Sequence, residues 1–152
     1  MKHLPLSELE FCVIDTETTG GKAEFCRVID VAVFRYKGGQ IVEKFQSLIN
    51  PGVIIPEWIT QLTGIDQSMV RNAPTFSDIA PQLSDILSKG IFTAHNAGFD
   101  YSFIHHEFLR TGIYFDQPQC CTVKLARILF PELGSRSLGF LCEHLMIDIW
   151  DR

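Results

Sequence analysis

The chain has 152 residues, 46% apolar and 20% charged, a balance that excludes a disordered polypeptide and gives one domain with a substantial core. No apolar run approaches the ~20 residues that cross a bilayer, and the opening MKHLPLSELE carries acids where a secretion signal has its apolar segment, so a cytoplasmic, non-membrane protein is expected. A formal net charge of −5 excludes binding nucleic acid through a broad basic field, but not through a local acidic site neutralised by metal ions.

Residues 10–17 read as a strand whose interior, FCVI, is apolar on both faces, which predicts a central strand in a covered sheet. The strand runs into Asp15, Thr16 and Glu17, then two more hydroxyls and a glycine. Side chains two apart share a face of a strand, so Asp15 and Glu17 project together from Cα atoms ~6.5–7 Å apart. Taken alone, such a pair also fits a solvated strand end followed by a turn. Residues 28–37 and 40–49 flank Gly38-Gly39, a two-residue turn signal for an antiparallel hairpin. Pro56 opens a short helix, EWITQLTG, that ends at Gly64.

In TFSDIAPQLSDILSKG, residues Phe76, Ile79, Ala80, Leu83, Ile86 and Leu87 repeat at helical spacing. Thr75 is a cap and Gly90 a stop, while Pro81 predicts a distorted first turn or a later start. IFTAH (91–95) is a short strand, and residues 98–110 form a helix carrying Phe99, Phe103, Ile104 and Phe108. Two more helices follow, near 122–130 and 137–146, so the order predicts a mixed sheet covered on both sides. The five cysteines are odd in number and lack CxxC spacing, and they read as reduced core thiols.

HNAGFD (95–100) lies at a strand-to-helix junction, with Asp100 in the first helical turn, where the dipole favours a negative charge. A plain helix-start acid explains it in isolation. If its strand lies parallel to and beside the first, however, Asp15, Glu17 and Asp100 converge at one end of the sheet. Three converging acids repel one another, and hard divalent cations that prefer oxygen ligands relieve this. A pair of Mg²⁺ or Mn²⁺ ions ~4 Å apart suits in-line attack on a phosphodiester.

FCVIDTETTG together with HNAGFDYSFIHHEF resembles motifs I and II of the DEDD-type 3′–5′ exonucleases, the superfamily that includes the proofreading epsilon subunit of bacterial DNA polymerase III. NPG (50–52), IPEWITQLTGI (55–65), CTVKLARILFPEL (121–133) and SLGFLCEHL (137–145) follow in that family's order. The resemblance implies an α/β, ribonuclease H-like fold with a mixed five-stranded sheet flanked by helices. It implies two Mg²⁺ or Mn²⁺ ions and release of nucleoside monophosphates from a single-stranded or frayed 3′ DNA end. Asp15 would bridge both metals, Glu17 would bind the nucleophile-side metal, and Asp100 would hold the second. Thr16 and Thr18 would lie against the terminal nucleotide, with Thr63 and Phe99 lining its pocket; core packing is the other reading of Phe99.

The family's third motif, a general-base histidine with a metal-binding aspartate five residues later, has no match in the chain. Five residues after His144, His105 and His106 come Ile149, Arg110 and Thr111, while the His95–Asp100 pair already belongs to motif II. Asp148 and Asp151 are substitutes that supply no base. The expectation is therefore an exonuclease domain, cut short at its C-terminus, with weak activity or none on its own, whose parent works as a polymerase subunit or fused domain or as a free-standing repair enzyme. The same chemistry on RNA, and a non-catalytic nucleic-acid-binding or polymerase-docking module, remain open beside it.

Overall fold

The computed structural model, which describes residues 5–149, holds five strands and six α-helices after a single 3-10 turn at Leu6–Glu8. The strands are β1 (Glu10–Thr18), β2 (Val28–Lys37), β3 (Gln40–Leu48), β4 (Ile91–Ala94) and β5 (Gln119–Cys121). The helices are α1 (Glu57–Thr63), α2 (Gln67–Val70), α3 (Phe76–Leu87), α4 (Ala97–Thr111), α5 (Thr122–Leu129) and α6 (Leu138–His144). Gly38 and Gly39 both take positive φ, as a tight hairpin requires, and join β2 to β3. The sheet order is β3-β2-β1-β4-β5, antiparallel from β3 to β1 and parallel from β1 to β5. β1 is thus the central strand, at the change of direction.

Gly90 lets β4 begin close beside β1: a Cβ there would stand 2.9 Å from the Glu10 carbonyl oxygen. The main core joins Cys12, Ile14, Val31, Val33 and Phe92 of the sheet to Phe76 and Leu83 of α3 and Phe103 and Phe108 of α4. A second core holds α1 and α2 through Ile29, Ile55, Ile59, Ile65 and Val70. The register of β1 on β2 shifts between Glu17 and Thr18, which pair with Asp30 and Val28, so Ile29 is the extra residue and belongs to this second core. That bulge seats α1 beside the acidic end of β1.

Three expectations need correction. The helix at 76–87 runs straight through Pro81, opened by a capping box of Thr75 and Asp78, and its C-cap is Ser88 rather than Gly90. Burying Phe76, Ile79, Leu83, Ile86 and Leu87 at about 1.5–3 kcal/mol each outweighs the ~3 kcal/mol cost of an internal proline. β1 is central but not covered on both faces along its length: its burial alternates, leaving Val13 43% exposed beside its cross-strand partner Phe34 at 39%. All five cysteines are free, but only Cys12 is buried. The short β5 and α2 carried no periodic signal of their own. Among the described residues, no helix is long and apolar enough to cross a membrane.

Candidate active site

β4 ends at Ala94, and its last pairing with β1 joins Val13 to Thr93. The end of β1, from Ile14 to Thr18, therefore has no strand on that side. The first turn of α4 lies against it instead, reached through Asn96, whose left-handed φ of 68° turns the chain sharply from strand to helix. On β1, Thr16 and Thr18 point into the buried face, while Asp15 and Glu17 share the opposite, more open face as the alternation predicts. Thr16 Oγ1 donates a 2.8 Å hydrogen bond to Asp100 Oδ1, and this contact joins the two motifs.

Asp100 is 5% exposed, and burial is the main force pushing its carboxyl up to about 6. The Thr16 hydrogen bond pulls it down and the Asp15 charge pushes it up. Burial also raises Glu17, followed by the charges of Asp15, Asp30 and Asp100. Asp30 is a site residue that the sequence reading missed. It stands across from Glu17 in the β1–β2 register, is raised by burial and then by Asp15, and leaves Oδ1 without a hydrogen-bond partner. Only that register brings it into the site, and the loop between β1 and β2, residues 19–27, is too long for its Gly20-Gly21 to fix a register as a two-residue turn does.

These four carboxylates form an oxygen-only donor set whose members disfavour one another's charge, the chemistry that hard divalent cations match. The set is open: among the described residues, no three His, Cys, Asp or Glu side chains are gathered closely enough to hold one ion by themselves. Magnesium-type sites are of that kind, since water and substrate oxygens complete the coordination. Asp15, Glu17, Asp30 and Asp100 therefore fit such ions in charge and donor type.

Thr16, Glu17 and Thr18 also line a cleft of about 230 Å³. Thr18 donates to the Gly20 carbonyl, and Thr63, on the cleft wall, donates to the Ile59 carbonyl and accepts from the Ile65 N–H. These hydroxyls are thus engaged within the fold. Phe99 packs its ring 4.9 Å from that of Phe103 and also lines the cleft, 37% exposed. Trp58 and Leu62 complete the wall at 57% and 74% exposure, and sequence reading passed over both. The available signal was that α1 is apolar at 58, 59 and 62 whereas only Ile59 is buried. His95 is tied through Nδ1 to Thr122 Oγ1, and Asp148 is exposed beyond α6; Asp151 lies outside the described residues.

The raised carboxyls set the sign of a pH effect. A carboxyl held above its ordinary value contributes stability that is full below about pH 4 and is lost as pH rises through its folded value. Without divalent ions, the protein should melt a few degrees higher at pH 5 than at pH 7.5, Asp100 alone supplying about 1.4 kcal/mol of the difference. Asp100→Asn should flatten that dependence in a calorimetric pH series, and an undiminished slope would count against the burial of this acid.

Acids at the open end of a central strand, where an antiparallel half-sheet meets a parallel one, mark the fold as that of the ribonuclease H-like nucleases, hydrolases of phosphodiesters. The chain belongs to the exonuclease family: the RNase T exonuclease model matches residues 12–150. It is 40% identical over 135 residues to the DNA polymerase III epsilon subunit of Aquifex aeolicus, covering 88% of this chain and 67% of that protein. It is 36% identical over 140 residues to the PolC-type DNA polymerase III of Clostridium perfringens, covering 92% of this chain but 10% of the relative. The chain thus spans about a tenth of the length of its PolC-type relatives. Among solved structures, Exonuclease X in complex with 5′ overhanging duplex DNA is 26% identical with a TM-score of 0.70, over 91% of this chain and 75% of that one. The nuclease domain of 3′hExo, a DEDDh family member bound to rAMP, shares the fold at 20% identity and a TM-score of 0.79, over 94% of this chain and 82% of that one.

Proposed function

We propose that these residues form a divalent-metal-dependent 3′–5′ exonuclease domain acting on single-stranded or frayed DNA 3′ ends, in proofreading or repair in the cytoplasm. The observation that carries this reading is the carboxylate set of Asp15, Glu17, Asp30 and Asp100 opening beside an apolar cleft. In this reading Asp15, Glu17 and Asp100 hold two Mg²⁺ or Mn²⁺ ions, with Asp30 adding negative charge behind Glu17. Bound there, the ions would activate water and neutralise charge developing on the phosphate.

The protein's own groups do the positioning. The Thr16 hydroxyl fixes one oxygen of Asp100, so the second motif is oriented by the first. Thr16 and Thr18 form the floor under the terminal nucleotide, and Phe99 offers its base a ring face that tolerates any base identity. Trp58 and Leu62 extend that apolar wall beyond the terminal position, where an unpaired base stacks more readily than one held in a duplex. Thr63 supplies the wall below them.

The histidine that the resemblance gives as general base has no counterpart among the described residues of the cleft wall. Losing such a group costs roughly 10²–10⁴-fold in rate, so we propose that these 152 residues alone cleave slowly, and that a continuation bearing a histidine and a further aspartate restores the rate. The epsilon and PolC-type relatives make a polymerase, as separate subunit or fused domain, the partner in this reading.

The test is release of mononucleotide from a 3′-labelled single strand in Mn²⁺, by this chain and by one extended with its native continuation. Slow release by the first and fast release by the second is expected. Equal rates would mean that the base lies within these residues. If neither cleaves but both bind the strand without divalent ions, the non-catalytic module replaces the enzyme; preferential cleavage of an RNA strand would change the substrate but not the chemistry.

A further inference from the structure

A second cavity, of about 510 Å³, lies between α4 and the segment 114–119 that leads into β5. None of its lining residues lines the cleft beside the carboxylates. Its wall is aromatic: Tyr101 stacks near-parallel on His105, with centroids 6.2 Å apart, and packs 5.4 Å from Phe115, while Tyr114 stands largely in solvent at the rim.

Its polar lining mixes the hydroxyls of Tyr101, Ser102 and Tyr114 and the Gln119 amide, which both donate and accept, with three stronger acceptors, the two histidines and Asp116. His105 Nδ1 lies 3.1 Å from the Phe115 carbonyl oxygen, and His106 Nδ1 lies 2.8 Å from that of Ser102. A carbonyl only accepts, so each Nδ1 carries the proton, and in the neutral ring each Nε2 keeps a lone pair. The Asp116 carboxylate receives two long hydrogen bonds, 3.3 Å from Tyr101 and 3.4 Å from Tyr114, and so retains most of its acceptor capacity. No lysine or arginine lines the cavity.

Lone pairs, one carboxylate and aromatic faces together are complementary to a flat cation rich in N–H donors. We propose that this cavity is a docking site for an arginine side chain of a partner polypeptide, its guanidinium held by Asp116 and the histidine Nε2 atoms and stacked on the tyrosine rings. A lysine ammonium satisfies the charge but neither the spread of acceptors nor the stacking. A phosphate-bearing ligand would meet Asp116 with no cation to offset it. The assignment is independent of the nuclease reading.

The test follows His105 and His106 imidazole resonances by NMR in the intact protein during titration with N-acetyl-arginine methylamide, its uncharged citrulline isostere, the lysine counterpart and thymidine monophosphate. Arginine should give saturable shifts at both histidines, lysine at least fivefold weaker binding, and the other two none. Asp116→Asn should weaken the arginine response tenfold or more, and His106→Gln should weaken it too, both with unchanged melting temperature. Equal responses to arginine and citrulline, a response to the nucleotide instead, indifference to both substitutions, or no saturable arginine shift would each overturn the assignment.

Discussion

Asp15→Asn should reduce nucleotide release by at least about a thousandfold in Mn²⁺ while leaving the fold intact, the expected cost of removing a group on which transition-state charge stabilisation depends. Asp15 is the common element in the site's electrostatics, since its charge raises Glu17, Asp30 and Asp100 alike. The substitution keeps the side chain's shape and removes that repulsion, so without divalent ions the variant should be more stable than the parent at pH 7.5. It should also lose the stabilisation that Mn²⁺ confers on the parent, which would be about 2.7 kcal/mol at a hundredfold excess over the dissociation constant. A simple structural defect would lower stability and activity together. Melting curves with and without Mn²⁺, set beside the cleavage rate, therefore separate the two causes. A variant that cleaves within tenfold of the parent would remove Asp15 from the proposed site.

Local signals located most of the fold. The Gly38-Gly39 turn, the Gly64 stop and the apolar repeat from Phe76 to Leu87 are each decided within a few residues, and each element formed where its signal lay. The penalty at Pro81 was misread because it is offset by contacts made in the folded core, which a propensity does not contain. The same limit applies to the site. Asp15, Glu17 and Asp100 announce themselves as acids at strand and helix ends, but Asp30 joins them only through a cross-strand pairing. Trp58 and Leu62 face the cleft because Ile59 and the bulged Ile29 fix the rotation of α1. The exposure of Val13 is a further nonlocal property, since an apolar strand interior cannot state what lies over each face.

Glu107→Ala should cost about 3–5 kcal/mol, as much as truncating a buried core phenylalanine, which for a domain of this size lowers the melting temperature by roughly 6–20 °C. Glu107 is 1% exposed in the middle of α4, and its carboxylate is satisfied from three directions. Arg27 grips both oxygens, Nε to Oε1 at 2.8 Å and Nη2 to Oε2 at 3.0 Å, the Val28 N–H donates at 3.1 Å, and Arg110 Nη1 stands 3.4 Å away. Arg27 in turn donates through its side chain to the Pro51 carbonyl and through its backbone N–H to Thr19 Oγ1, while its own carbonyl accepts from the Thr19 N–H, just past the end of β1. One buried acid thus ties α4, which carries Asp100, to the segment following Asp15 and Glu17. Alanine would leave the Arg27 charge and the Val28 N–H without their buried partner, which is costlier than the net worth of the pair. Glu107→Gln, which keeps an acceptor and the volume but not the charge, should cost about half as much. Because the tie also fixes the two motifs relative to each other, both variants should cleave more slowly than the parent well below their own melting points. A cost below about 1 kcal/mol for alanine would instead assign the pair to the class of solvent-screened surface bridges, and the spacing between α4 and β1 would then have to be held by the aromatic core alone.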